Sequence, residues 1–260
     1  MTVFEARGLR KEYGRRRGAL TALAGVDLRL ESGRIYGLVG SNGAGKTTLL
    51  RLIAGLSFPT AGSMALFGAE DEKGLREARL RLGTLIADAA GYEDLSLWQN
   101  LRVQEVLLPM AQRQDLRALC DLVGLDRSGC RRTLRQCSTG QKQRYGLASA
   151  LLGSPEFLLL DEPMNGLDPS GVAEMRELIL RLNRERGVTI LISSHLLAEL
   201  HKIATDYIFL RFGSVLETVS AADLDRRMEE RGMKDAEAYF LELERAARAR
   251  EGSLLGLREE

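Results

Sequence analysis

The hydrophobic positions of the chain include three short continuous runs, at residues 34–40, 157–160 and 188–192. Runs of this length without alternation are typical of parallel strands that are buried on both faces of a sheet. The second run is followed by Asp161 and Glu162, and the third leads to His195. Ligands of such sheets bind beyond the carboxyl ends of the strands. The pattern therefore predicts an α/β fold with a polar site at one edge of its sheet.

Between and after these runs, apolar residues recur at helical spacing, which predicts helices at residues 46–54, at 170–187 and from 220 onward. The last helical region carries a stripe that predicts packing rather than a cofactor site, formed by Ala236, Tyr239, Phe240, Leu243 and Ala247. Residues from about 88 to 135 are Arg-rich and helical, without a buried strand. We interpret them as a helical subdomain inserted into the α/β core.

The composition limits the classes of function without selecting one. Of 260 residues, 45% are apolar and 28% are charged, which is typical of soluble globular proteins. The 37 basic and 36 acidic residues give a net charge of +1, so the total charge provides no attraction to nucleic acid or to an anionic membrane. We interpret the basic run Lys11, Arg15, Arg16 and Arg17 as a solvated loop, and we expect no nucleic-acid partner.

Targeting and cysteine patterns point to the cytoplasm. No stretch approaches the roughly 18 consecutive apolar residues of a spanning helix, and the N-terminal residues do not resemble a signal peptide. Cys120, Cys130 and Cys137 are too few and too irregularly spaced for a disulfide framework, and no histidine lies at metal-ligand spacing from them. We therefore expect a cytoplasmic protein with reduced thiols.

A glycine-rich loop connects the first apolar run to the helix at 46–54. It reads Gly40-Ser41-Asn42-Gly43-Ala44-Gly45-Lys46-Thr47-Thr48, which contains the G-x-x-x-x-G-K-T pattern of a phosphate loop. Glycines let the backbone turn several N–H groups onto phosphates, and the following helix adds the positive end of its dipole. Lys46 is expected to bind the terminal phosphates, and Thr47 offers its hydroxyl to magnesium. The loop therefore predicts binding of ATP with Mg²⁺.

Residues at the ends of the buried strands are the candidates for catalysis. Asp161 lies where phosphate-loop enzymes usually place their magnesium carboxylate, which binds the ion either directly or through one of its other ligands. Glu162 is the expected acceptor for the attacking water, and Pro163 prevents the strand from continuing. His195, at the end of a neighbouring strand, is the expected donor to the terminal phosphate. Together with Lys46, these residues predict an ATPase.

The segment Cys137-Ser138-Thr139-Gly140-Gln141-Lys142-Gln143-Arg144 indicates which kind of phosphate-loop enzyme this is. Locally, Ser138 with Gln141 three residues later predicts a helix capping box. This signature segment also resembles the Leu-Ser-Gly-Gly-Gln signature of ABC transporter ATPases, with Cys137 and Thr139 as departures. Other residues resemble family motifs in the same order: Tyr13 for the aromatic that stacks on adenine, Asn165-Gly166-Leu167-Asp168 for the dimer loop, and His195 for the switch histidine.

The resemblance covers about residues 3–220 and implies a phosphate-loop, RecA-like parallel-sheet core with an N-terminal antiparallel β subdomain and an inserted α-helical subdomain. The ATPase domain would span residues 1–220, with the helical subdomain at about 88–150. Residues 221–260 would form a short C-terminal helical extension.

The resemblance also implies two partners. In the family, ATP is sandwiched between the phosphate loop of one subunit and the signature of the other. A second ATPase subunit, expected to be an identical copy, would therefore contribute Ser138, Thr139, Gly140 and Gln141 in trans, while Asp168 pairs across the dimer. A separate transmembrane permease would dock on the helical subdomain and hold the chain at the cytoplasmic face of the cell membrane.

Finer similarities in residues 82–86, 190–197 and 239–243 resemble bacterial ATPases that serve bacitracin and lantibiotic export or self-immunity. The expected function is therefore to energise export. A GTPase is disfavoured because the chain has no Asn-Lys-x-Asp guanine reader. A soluble ABC-type ATPase without a transport role and a non-hydrolysing ATP sensor are the alternatives, and the complete set of catalytic candidates argues against the sensor.

One departure from the family affects the expected metal site. After Leu85 and Ile86 the family places a Gln, or a Glu in the bacitracin-type group, whose oxygen reaches magnesium. The aligned residue here is Ala87, which has no side-chain oxygen. Either Asp88 provides the oxygen or water fills the position. We favour water, because a one-residue offset in an extended segment turns the side chain to the opposite side.

Overall fold

A computed structural model describes residues 1–14, 19–87, 90–108 and 114–254. Its strands are β1 (Thr2–Tyr13), β2 (Leu20–Glu31), β3 (Ile35–Val39), β4 (Ala61–Leu66), β5 (Leu82–Leu85), β6 (Phe157–Asp161), β7 (Thr189–Ser193), β8 (Asp206–Arg211) and β9 (Ser214–Ser220). Its helices are α1 (Lys46–Ile53), α2 (Glu72–Arg79), α3 (Leu97–Leu107), α4 (Leu116–Leu122), α5 (Arg127–Arg131), α6 (Thr139–Leu151), α7 (Pro169–Arg186), α8 (Leu197–Leu200), α9 (Ala221–Glu230) and α10 (Ala236–Leu254).

The central sheet has six strands in the order β5-β6-β7-β3-β8-β9. The first five are parallel, and β9 returns antiparallel beside β8. Every residue of β3 and β7 is buried, and so are the first four of β6. The predicted α/β fold and its three buried parallel strands are therefore confirmed.

A separate antiparallel sheet, in the order β2-β1-β4, contains the N-terminal strands. One hydrophobic core joins this sheet to α1 and includes Phe4, Leu23, Leu49 and Leu52. The pairing of β1 with β2 shifts register at several points, so buried and exposed positions do not alternate regularly along β1. This sheet is the N-terminal antiparallel element that the family resemblance implied.

In the described residues between β5 and β6, the structure has the four α-helices α3 to α6 and a short 3-10 helix, Leu134–Gln136. Each of the four α-helices begins at a side chain that accepts a backbone N–H from the first turn, and these capping residues are Ser96, Asp115, Asp126 and Ser138. The helical character predicted for this segment is confirmed for its described residues. The domain boundaries near residues 88, 150 and 220 stay predictions.

Three buried free thiols lie in this helical segment. Burial raises the pKa of the Cys120 thiol to about 12, and it also raises the pKa of Cys130 and of Cys137. A thiol with a raised pKa stays protonated at neutral pH and is a poor nucleophile and metal ligand. The described residues also contain no group of three or more His, Cys, Asp or Glu that could hold a metal ion by themselves.

The C-terminal helices pack against the central sheet beside β8. Tyr239 and Phe240 of α10 lie 5.9 and 5.7 Å, between ring centroids, from Phe209 of β8. Ala236 is buried and Leu243 packs against the same core, so the predicted packing stripe is confirmed at these four positions. Within the described ranges, no helix is long and apolar enough to cross a membrane.

Candidate nucleotide-binding site

The phosphate loop leaves the end of β3 and leads into α1, as predicted. Gly43 and Gly45 have left-handed backbone, with φ of 82° and 107°. A Cβ atom on Gly40 would lie 2.4 Å from the Leu210 carbonyl oxygen, and one on Gly45 would lie 2.5 Å from that of Ala22. The first turn of α1 has no acidic residue, so its N–H groups and its dipole can act on an anion.

Lys46 is a buried cation inside this loop, with 7% of its surface exposed. Its ammonium donates to the carbonyl oxygens of Gly40 at 2.6 Å and of Ser41 at 3.3 Å. An ammonium has three N–H donors, so one donor is left for a phosphate oxygen after these two bonds. The carbonyl oxygens of the phosphate loop thus hold the Lys46 ammonium inside the loop.

A chain of hydrogen bonds joins the phosphate loop to the ends of β6 and β7. The Thr47 hydroxyl donates to Asp161 Oδ2 at 2.8 Å, and the Ser193 hydroxyl donates to Asp161 Oδ1 at 2.6 Å. Ser193 and Asp161 are direct neighbours in the parallel register of the two strands. The prediction that polar residues meet at one sheet edge is confirmed, and both oxygens of Asp161 have fixed partners.

Glu162 adopts a left-handed backbone conformation with φ of 50°, which is uncommon for a residue with a side chain. Its N–H donates to the hydroxyl oxygen of Ser193 at 3.0 Å. Its Oε2 lies 2.7 Å from Nδ1 of His195 and accepts the His195 backbone N–H at 3.3 Å. Because a carboxylate only accepts, Nδ1 carries the proton in this contact, and no described residue hydrogen-bonds to Nε2.

Lys46, Thr47, Asp161 and Glu162 border one cavity of about 320 Å³, and Ser193 and His195 are not part of its lining. The lining residues of this cavity are Tyr13, Leu20, Thr21, Ala22, Asn42, Gly43, Ala44, Gly45, Lys46, Thr47, Thr48, Asp161 and Glu162. Tyr13 lies at its outer end and is 39% exposed. The Lys11 ammonium lies 5.0 Å from the centre of the Tyr13 ring and donates to the Phe58 carbonyl oxygen. Lys11 therefore belongs to β1 rather than to a solvated loop, and Arg15, Arg16 and Arg17 lie outside the described residues.

The signature segment and the dimer loop border a second cavity, of about 440 Å³, which shares no residue with the first. Its lining includes Ser138, Thr139, Gly140, Gln141 and Asp168. Ser138 and Gln141 form the predicted capping box, since each side chain accepts the backbone N–H of the other. The Asp168 carboxylate caps α7 by accepting the Gly171 N–H at 2.9 Å. The residues singled out in the sequence thus fall into two groups on one chain.

Two positions add to the sequence-based description of the site. Sequence reasoning missed Ser193, which hydrogen-bonds to Asp161. Its position directly after an apolar run was the sequence feature that indicated a residue at the polar edge of the sheet. Ala87 is exposed and left-handed, with φ of 63°. The backbone at Ala87 is therefore not extended, as the preference for water had assumed. Asp88 lies outside the described residues, so the choice between Asp88 and water at this position stays a prediction.

Comparison with protein families gives a match between residues 23–165 and the ABC transporter model. The chain belongs to the ABC transporter family. The bacitracin transport ATP-binding protein BcrA of Enterococcus faecalis is 36% identical over 225 residues, which are 86% of this chain and 71% of that protein. The lantibiotic transport ATP-binding protein SrtF of Streptococcus pyogenes is 37% identical over 82% of this chain and 89% of its own length. The expected similarity to this type of ABC ATPase is confirmed.

Solved structures of ABC ATPases share the fold. An ATP-binding subunit of an ABC transporter has a TM-score of 0.80 and 25% identity, over 93% of this chain and 99% of that chain. A dimeric ATP-binding cassette in a post-hydrolysis state, bound to ADP and Pi, has a TM-score of 0.77 and 22% identity over 84% and 98%. As an ABC ATPase, the chain binds ATP and hydrolyses it to energise transport.

Proposed function

We propose that this ABC ATPase energises the export of a peptide antibiotic, of the bacitracin or lantibiotic class, through a separate membrane permease. The observation that carries this proposal is the identity of 35–37%, over most of the chain, with proteins named for bacitracin and lantibiotic transport. The chain would work from the cytoplasmic face of the membrane by docking on the permease, and the helices α3 to α6 would form the docking surface.

In the proposed reaction, the phosphate loop and Lys46 bind the phosphates of ATP. The loop's backbone N–H groups and the buried ammonium together provide positive charge on several sides of the terminal phosphate. Ser41 and Asn42 contribute through the loop backbone, and Thr48 lies in the first turn of α1. This arrangement orients the terminal phosphate toward the ends of β6 and β7.

The donor set beside the loop fits magnesium. Mg²⁺ prefers hard oxygen ligands at about 2.1 Å in octahedral geometry, usually one or two from the protein and the rest from phosphates and water. Two ligands at right angles would then lie about 3.0 Å apart, and the Thr47 hydroxyl and Asp161 Oδ2 are 2.8 Å apart. Bound magnesium would neutralise charge on the transferred phosphate. The residues' own contribution is to hold these two oxygens beside each other, at a spacing that suits adjacent ligands of the ion.

Glu162 would orient the attacking water and accept its proton. Its carboxylate borders the same cavity as Lys46 and Thr47, at the strand end where the terminal phosphate would lie. His195 would hold Glu162 through Nδ1 and donate to the terminal phosphate through Nε2. These two roles are compatible because the ring nitrogens point in different directions.

We further propose that the active unit is a dimer of two such chains. The signature segment and Asp168 border a cavity that is separate from the phosphate-loop cavity, so one chain does not bring the two groups together. A two-fold axis would place the signature of each chain against the ATP of the other. The amide end of α6, which has no acid in its first turn, then contributes to phosphate binding.

Tyr13→Ala is expected to weaken ATP binding, because the Tyr13 ring is proposed to stack on adenine. Stacking of one base on an aromatic ring is worth about 1–3 kcal/mol, which corresponds to a rise in Kd of about 5- to 150-fold. Tyr13→Phe, which keeps the ring, is expected to retain most of the affinity. Calorimetric titration with a non-hydrolysable ATP analogue measures both variants. Equal loss in both would show that the hydroxyl, and not the ring, makes the contact.

The export function can be tested in a sensitive bacterial host. Expression of this chain together with its permease is expected to raise the inhibitory concentration of bacitracin or of a lantibiotic, because the peptide is removed from the cell envelope. The matched control is the same permease with the Glu162→Gln chain, which lacks the proposed catalytic carboxylate. If the purified chain hydrolyses ATP but the host gains no resistance to these peptides, the assignment as an ATPase stands and this class of substrate is excluded.

A further inference from the structure

Ser193 carries a fully buried hydroxyl that the proposed reaction does not yet use. It is the last residue of β7, with 0% of its surface exposed. A buried hydroxyl is costly unless it is hydrogen-bonded, so its partners indicate what it stabilises. Both of its hydroxyl partners belong to the acidic pair at the end of β6, Asp161 and Glu162.

The hydroxyl connects the two acids directly. It donates its proton to Asp161 Oδ1 at 2.6 Å and accepts the backbone N–H of Glu162 at 3.0 Å. The first bond leaves Oδ2 of Asp161 facing Thr47. The second shares the Glu162 N–H with the Ser193 carbonyl oxygen, which accepts it at 3.2 Å. Together these bonds support the left-handed backbone of Glu162, a conformation that residues with a side chain rarely adopt. One hydroxyl therefore constrains both the carboxylate beside Thr47 and the direction of the Glu162 side chain.

We propose that Ser193 is a positioning residue of the ATPase reaction, which aligns Asp161 for the metal and Glu162 for the water. The inference rests on the proposed roles of those two acids. Residues that orient metal ligands from outside the first shell typically change metal affinity or activity by about 10- to 100-fold when they are replaced. Ser193 occupies such a position relative to Asp161, and it reaches the catalytic acid through the same atom.

A purely structural hydroxyl on the same strand provides the matched control. Thr189 begins β7 at the opposite sheet edge, is 1% exposed, and accepts the Gly33 N–H at 3.0 Å. Thr189→Val removes a buried hydroxyl from β7 without touching the acidic pair. Any effect that arises only from a lost buried hydrogen bond should therefore appear in Thr189→Val as well.

The experiment compares Ser193→Ala, Ser193→Thr and Thr189→Val with the unchanged protein. Ser193→Thr keeps the hydroxyl and suits a strand. ATPase rate is measured against magnesium concentration, and binding of Mn²⁺ to the ADP complex is followed by electron paramagnetic resonance. Thermal unfolding and ADP binding without metal are measured in parallel, to establish that each variant is folded and retains its phosphate loop.

We expect Ser193→Ala to weaken Mn²⁺ binding and to raise the magnesium concentration for half-maximal rate by about 10- to 100-fold, with a lower maximal rate. Metal-free ADP binding should not change, because it depends on the phosphate loop. Ser193→Thr should restore metal binding, and Thr189→Val should change thermal stability alone.

The inference is overturned if folded Ser193→Ala binds Mn²⁺ and responds to magnesium as the unchanged protein does. It is equally overturned if folded Ser193→Thr is as impaired as Ser193→Ala, since the hydroxyl would then not be the cause. Failure of the proposed function is a different result. If the proposed role of Glu162 fails, folded Glu162→Gln hydrolyses ATP at the unchanged rate, and if the export function fails, the chain hydrolyses ATP but confers no resistance.

Discussion

Glu162→Gln is expected to lower the ATPase rate at least about 100-fold, because an amide is a poor acceptor for the proton of the attacking water. Glutamine has nearly the same shape, and Glu162 makes none of the phosphate-loop contacts, so ATP affinity should persist. Hydrolysis would then no longer separate the subunits, and the ATP-bound dimer should accumulate. Phosphate release measures the rate, and gel filtration with ATP and magnesium measures the dimer.

Glu156→Gln is the matched control for this prediction. Glu156 directly precedes β6, whereas Glu162 directly follows it, and Glu156 pairs with Arg81 on the surface. Its replacement is expected to leave the ATPase rate unchanged. An undiminished rate in folded Glu162→Gln would contradict the assignment of Glu162 as the acceptor for the water.

Lys46→Ala is expected to weaken ATP binding by about 10- to 100-fold, because a hydrogen bond to a charged group contributes about 1.5–3 kcal/mol. The turnover rate should fall as well, since the same ammonium faces the phosphate on which charge develops. Calorimetry with a non-hydrolysable analogue measures the affinity, and phosphate release at saturating ATP measures the rate.

Lys73→Ala removes an exposed lysine from α2 and controls for the loss of one positive charge elsewhere. Thermal unfolding is needed for Lys46→Ala, because the ammonium also holds the carbonyl oxygens of Gly40 and Ser41. Wild-type affinity and rate in the folded variant would show that the nucleotide binds elsewhere on the chain.

The sequence predicted three of the six strands of the central sheet, β3, β6 and β7, because burial on both faces leaves continuous apolar runs. The strands β5 and β9 are only partly buried, and the buried strand β8 contains Asp206 and Arg211, so none of these three carried that pattern. The phosphate loop was predictable for a related reason. The glycines at 40 and 45 face backbone oxygens within 2.5 Å of where a side chain would begin, so these positions are restricted to one residue type. Strong steric and solvation constraints therefore left patterns that can be read without a structure.

Other features depend on contacts that no local pattern records. The register shifts of β1 interrupt the alternation of buried and exposed residues along the strand. The sequence of its twelve residues therefore indicated a strand without indicating its bounds or its partners. The pairing of Ser193 with Asp161 depends on which strands are neighbours, since 32 residues separate the two in sequence. The left-handed backbone of Glu162 is likewise a tertiary effect, because nothing in the residue type favours it.

The backbone of Glu162 also has a consequence for protein engineering. At φ of 50°, glycine has a lower conformational energy than a residue with a side chain. A screen that selects only for a higher melting temperature could therefore favour Glu162→Gly. Such a variant would gain stability at this position by discarding the carboxylate, and with it the catalysis. Thermostability and turnover are thus opposed at a single residue, as is common where function requires a locally unfavourable conformation. Directed evolution of this ATPase should therefore select for both properties together.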